Sequence, residues 1–164
     1  MRIALRYLYQ LALVVWLGGM FVLGALVAPT VFQVLQAADP ANGRVLAGEF
    51  FGTAIARFHI VEYAAGVVML AALVALRAVG ARPAGFTARA VILVVTLGIS
   101  CYSGFVVLRR IDAIQQQVGT LPSRLPADDP RRMEFDDLHQ FATRLMQVNM
   151  VGALVLLFWE SREH

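Results

Sequence analysis

His59 and Glu62, three residues apart, and His139, far along the chain, are the side chains in this sequence best suited to chemistry. An i, i+3 pair shares one face of a helix, about 4.5 Å apart along its axis. Two imidazoles and a carboxylate suit a borderline divalent ion such as copper or zinc. Asp136 stands three residues before His139 on nearly the same side, where it could orient that ring, and Thr143 and Gln147 continue the stripe. Two histidines on facing helices also suit the axial positions of one b-type haem. The third histidine, His164, is the last residue, so a second bis-histidine haem is excluded. A structural reading competes with these. In it Glu62 is neutralised by Arg144 in an interhelical ion pair, and the histidines are satisfied by backbone or hydroxyl partners. A proton-relay or transporter role through Glu62 lacks the broken helix pair it would want.

The surroundings of these residues are unusual. Charge-free sequence runs only from Tyr63 to Leu76 in one segment and from Leu145 to Trp159 in another, fourteen and fifteen residues. A membrane-spanning helix needs roughly 20 residues. Each segment reaches that length only by drawing in polar groups, Glu62 and His59 in the first, Arg144, Gln140 and His139 in the second. Ionisable groups at such depth cost about 2.5–3.5 kcal/mol each, so they are expected to face the bundle and to be paired.

Composition supports a membrane setting. Of 164 residues 59% are hydrophobic and only 15% charged, with a mean hydropathy of +0.69; soluble domains are about 45–50% apolar. All fourteen basic residues are arginine, a usage that matches GC-rich coding and a bacterial source. They are scattered rather than clustered with aromatics, so they read as membrane flanks and not as a nucleic-acid surface. The single cysteine, Cys101, excludes an internal disulfide and a cysteine metal cage.

The expected fold is all-α, an integral membrane four-helix bundle with a short interfacial helix before the second span. The chain reads as one domain over residues 1–164, with spans at about 7–28, 55–76, 90–108 and 138–159. The first apolar run is too long for a signal-peptide core, and Pro29 occupies the position after the only plausible cleavage site. Gly18, Gly19 and Gly24 give that span a face for close helix approach. Asp39-Pro40 and Asp129-Pro130 both read as helix starts, aspartate as N-cap and proline at the first helical position. Arg77, Gly80, Arg82 and Pro83 close the second span. Arg2 and Arg6 before the first span, and three arginines in the 77–89 link, place both termini in the cytoplasm of a bacterial inner membrane. Helices two and four then descend from the outer surface, and His59 and His139 are expected at a common depth near it.

Other motifs carry less. Ser100-Cys101-Tyr102-Ser103 holds nucleophile types without a nearby base and reads as a packing patch. Gly18-Gly19 lacks the Gly-Lys-Ser/Thr of a phosphate loop. Nothing else points to catalysis, so the chain reads as a non-enzyme.

Trp16-x-Gly18-Gly19-x-Phe21, Pro29-x-Val31-Phe32, Phe50-Phe51, His59, and Leu138-His139 followed by Thr143 and Asn149 form a pattern along nearly the whole chain. It resembles the domain of unknown function 4149 family, also called transmembrane protein 205-like, of small four-helix membrane proteins. That resemblance implies four spans with polar residues on the outer side, and no established activity. The expectation is therefore a polar or metal-binding site of His59, Glu62 and His139 near the outer face. An accessory subunit of a larger membrane complex is the alternative, with the lipid bilayer as the common partner.

Overall fold

The computed structural model describes residues 1–81, 83–119 and 122–162, so Arg82 and His164 lie outside the described residues. Every regular element among them is helical. Four helices are long and apolar enough to cross a membrane: α1 (Arg2–Ala38), α2 (Gly43–Ala78), α3 (Phe86–Val118) and α4 (Pro130–Ser161). The shortest has 32 residues, so all four exceed the ~30 Å hydrocarbon core and project beyond it.

Connections this short make successive helices antiparallel. α1 packs on α2 and α4, and α3 on the same two, which closes the bundle. α2 and α4 therefore run in the same direction across the diagonal. One end of the bundle, here the terminal end, carries the start of α1, the end of α2, the start of α3 and the end of α4. The other, here the loop end, carries the 39–42 and 119–129 connections.

The helix ends follow local chemistry. Asp129 caps α4 by accepting from the backbone N–H of Arg131 at 2.9 Å, with Pro130 at the first helical position. Gly80 and Gly119 follow the last turns of α2 and α3 with φ of +76° and +66°, the left-handed stop that a side chain disfavours. Arg2 adds a hydrogen bond from Nη2 to the carbonyl of Val79, at the end of α2.

Two expectations are corrected. Asp39 receives the amides of Ala41 and Asn42 at 3.0 Å each, but the turn it caps is interrupted at Asn42, and α2 begins at Gly43. The separate interfacial helix is also absent. Residues 43–54 are the first turns of α2, despite Gly43, Gly48 and Gly52. Tertiary packing outweighs glycine's poor helix propensity here. Phe51 meets Phe32 of α1 edge to face at 6.5 Å, and a β-carbon on Gly43 would stand 1.9 Å from the Leu35 carbonyl.

α1 continues straight through Pro29. A proline inside a helix lacks an N–H and crowds the carbonyl four residues back. The preceding turn, Val22–Val27, absorbs this by widening to a π-turn, in which Ala28 donates to Leu23, five residues back. α3 holds a second π-turn, Ser103–Val107.

The packed core lies toward the terminal end. Tyr9, Leu13, Trp16 and Met20 of α1 follow a helical stripe and meet Met69 and Leu73 of α2, Leu93 of α3 and Leu156 of α4. Gly66 admits Trp16 and Leu97, whose atoms would stand 3.0 and 2.9 Å from an added β-carbon.

Candidate functional site

Above that core a cavity of about 420 Å³ opens between all four helices. Met20, Gly24 and Phe32 line it from α1, and Gly52, Phe58, His59 and Glu62 from α2. Ser103 and Asp112 of α3 and Asp136, His139, Met146 and Asn149 of α4 complete the wall. The α4 residues 135, 139, 142, 146 and 149 repeat every three or four positions, so one helical face supplies them.

Glu62 stands at the floor, 3% exposed. Its Oε2 lies 2.6 Å from His59 Nδ1, the contact that the i, i+3 spacing allows. The His59 ring stacks on Tyr63 at 5.9 Å, and Tyr63 on Phe105 at 5.4 Å. Tyr63 donates its hydroxyl proton to the Ser100 carbonyl at 3.3 Å. Asn149 Nδ2 donates to the Ser100 hydroxyl at 2.7 Å. One buried serine of α3 thus ties α2 to α4 at the level of the cavity floor.

Those two bonds also set the relative depth of the histidines. His59 is four residues above Tyr63, about 6 Å, whereas His139 is ten residues above Asn149, about 15 Å. Both line the cavity, but their backbone positions differ in depth by about 9 Å, against the common depth expected from the sequence. Among the described residues no three His, Cys, Asp or Glu side chains are grouped to hold a metal ion. His139 stacks on Phe135 at 6.2 Å, and Asp136 is turned to Arg132, 3.8 Å away, rather than to His139.

The expected ion pair between Glu62 and Arg144 is not formed. Arg144 is exposed, and it is two residues from both Ala142 and Met146, about 200° round the helix from each of these cavity-lining positions. The carboxylate instead contacts the imidazole of His59 on its own helix.

The sequence reading missed a second polar cluster, at the terminal end. Arg89 and Glu160, 1% and 5% exposed, form an ion pair between α3 and α4. Gln10 of α1 donates to the other oxygen of Glu160 at 3.0 Å, and the Arg89 guanidinium lies 4.6 Å above the Tyr9 ring. It also missed Tyr63 and Ser100 as partners. Tyr63 carried no sequence signal of its own: its hydroxyl oxygen lies 2.1 Å from where a β-carbon on Gly104 would stand, a contact between helices that only the fold creates.

Residues 11–120, 110 of the 164, match the family model described as Domain of unknown function (DUF4149). The chain belongs to that family. The match takes in Trp16, Gly18-Gly19, Pro29, Phe50-Phe51 and His59, and ends before His139 and Asn149. No curated protein and no solved structure matches the chain.

Proposed function

We propose that this member of the domain of unknown function 4149 family is a multi-pass membrane protein that binds a small amphipathic molecule between its helices. The orientation is that of a bacterial inner-membrane protein with both termini cytoplasmic and the cavity near the outer face. One observation carries the reading: a cavity of about 420 Å³ walled by all four helices, apolar at Met20, Phe58 and Met146, with a part-buried His59–Glu62 pair at its floor. That volume lies within the range of small-molecule sites. At about 30 Å³ per water it is room for about fourteen non-hydrogen atoms.

The test is photolabelling in nanodiscs with a diazirine-bearing alkyl probe. Labelling of Met20 and Met146, suppressed in Gly52→Phe, supports the reading. A β-carbon at Gly52 has no neighbour within 4 Å, so the new ring enters the space without a clash at its root. Label confined to lipid-facing positions such as Val14 and Val94, and unchanged in Gly52→Phe, would overturn it.

A second reading takes the ligand to be a divalent metal ion on His59, Glu62 and His139, or one b-type haem on the two histidines. It is favoured by both imidazoles opening onto one cavity. It requires the two histidines to bridge a backbone offset of about 9 Å along their helices. Metal analysis and a visible spectrum of the purified protein separate these from an organic ligand. Stoichiometric metal lost in both His59→Ala and His139→Ala would support metal, and a Soret band would support haem. An accessory role beside a larger complex would show as co-purification of that complex.

A further inference from the structure

We infer that the cavity selects an ammonium head bearing N–H groups, carried on a short apolar tail. The inference deepens the amphiphile reading and rests on it. Two acceptors at the cavity floor lack donors. Asn149, 4% exposed, gives its Nδ2 to Ser100 and leaves Oδ1 without a partner among the described residues. Glu62 gives one oxygen to His59, and its second oxygen meets no donor among the described residues. A buried polar atom left unpaired costs about 1–3 kcal/mol, so Asn149 Oδ1 favours a ligand that donates, and the second Glu62 oxygen remains open to one.

The sign of the charge follows from the wall. Glu62, Asp112 and Asp136 line the cavity; Asp136 is paired with Arg132, which leaves Glu62 at the floor and the exposed Asp112 nearer the mouth against one lining arginine, Arg44. Arg44 is eighteen residues from Glu62 on the same helix, about 27 Å, so it does not neutralise the floor. A low-dielectric pocket with an excess of carboxylates attracts cations and repels anions. Oδ1 of an amide and a carboxylate oxygen both accept hydrogen bonds, which separates a primary ammonium from a quaternary one. Above them Phe58, Met20 and Met146 offer aromatic and thioether surface to the tail.

Thermal unfolding of the detergent-solubilised protein with four eight-carbon probes tests this: octylammonium, octyltrimethylammonium, octanol and octanoate. Apparent affinity for octylammonium should exceed that for octanol by about ten- to a hundredfold, the worth of a charge-assisted hydrogen bond. Octyltrimethylammonium should fall well behind octylammonium, and octanoate should bind least. Glu62→Gln should bring octylammonium down to octanol while the response to octanol persists. The ranking of the probes on the wild-type protein decides the matter even where Glu62→Gln fails to fold. Octanol or octanoate equal to octylammonium overturns the head-group inference and leaves the amphiphile cavity standing. No response to any probe, in wild type and Gly52→Phe alike, overturns both.

Discussion

The Tyr63 hydroxyl of α2 occupies the space that a side chain on Gly104 of α3 would need, with its oxygen 2.1 Å from the position of a β-carbon there. Tyr63 cannot easily yield. Its ring is stacked between His59 and Phe105, and its hydroxyl donates to the Ser100 carbonyl. Gly104→Ala should therefore behave as overpacking and destabilise by about 1–3 kcal/mol. Gly98→Ala, on the same helix with nothing within 4 Å of the new carbon, should be neutral or stabilise by up to about 1 kcal/mol. Adding Tyr63→Phe to Gly104→Ala should recover part of the loss. Equal melting temperatures for the two alanine variants would remove the proposed contact.

The Ser100 carbonyl that Tyr63 reaches also accepts from the backbone N–H of Ser103 and stands just before the π-turn of α3. In a regular α-helix the Ser100 carbonyl would accept from Gly104, four residues on. The widened turn that follows, Ser103–Val107, in which Leu108 donates to Ser103, is one place where a side chain can enter the ladder. Such a turn holds one residue more than the α-helical path needs, so removing a residue inside it preserves the register on both sides. Deletion of the exposed Val106 should give a folded protein, with Ser100–Asn149 and Arg110–Glu134 contacts retained and Tyr63 expelled. Deletion of Val95, outside the turn, rotates the remainder of α3 by about 100° and should abolish folding. Comparable yields and melting curves for both deletions would count against the register argument.

Much of this architecture was legible in the sequence, and the misses have physical causes. Four apolar runs, and Gly80 and Asp129-Pro130 as stops and starts, are local signals, and the helices obey them. His59 and Glu62 were legible as a pair because i, i+3 is a contact within one helix. The depth of His139 was not, since it depends on how α4 slides against α2 through Asn149, Ser100 and Tyr63, none adjacent in sequence. Arg144 was assigned to Glu62 on depth alone, and the 100° per residue of a helix turns it away from the cavity. Arg89 and Glu160 each stand one residue beyond an expected span, because those spans were cut at the first charge. Their pairing across the bundle is what lets both helices continue buried. The cavity itself had no sequence signal; residues of both π-turns, Gly24 and Ser103, and Gly48 and Gly52 line it, and only the packing of all four helices brings them together.

The two loop-end turns should loosen in acid. Asp39 is held below its ordinary value of 3.8 chiefly by the Asn42 backbone amide, then by the Asn42 side chain. Asp129 is held low chiefly by the Arg131 side chain, then by the Arg131 amide. A carboxylate whose folded value is lowered contributes stability that is complete above the unfolded value and lost as pH falls through the folded one. Hydrogen-exchange protection of Asn42 and Arg131 should therefore drop below about pH 4. Protection of Ala81, which donates to Leu76 in a turn without an acid, should hold. Asp39→Asn and Asp129→Asn should each remove the pH dependence at its own turn. A parallel decline at Ala81 would point to general unfolding instead.

Burial, rather than geometry, should decide what the ion pairs are worth. Arg89–Glu160 is enclosed, its side chains 2% and 6% exposed, whereas Arg110–Glu134 is open at 52% and 41%. Removing one partner of a buried pair strands the other charge, a loss of about 3–5 kcal/mol, while replacing both with apolar residues is often neutral or stabilising. Arg89→Met should thus destabilise strongly, because among the described residues Glu160 then keeps only Gln10, and Arg89→Met with Glu160→Met should be much less damaging than either single change. Exposed pairs contribute little, so Arg110→Met should hardly move the melting temperature, and its effect should vanish in salt. A double-mutant cycle by thermal unfolding measures both cases. Strictly additive losses at Arg89 and Glu160, or a loss at Arg110 as large as that at Arg89, would show that the terminal-end pair does not hold α3 to α4.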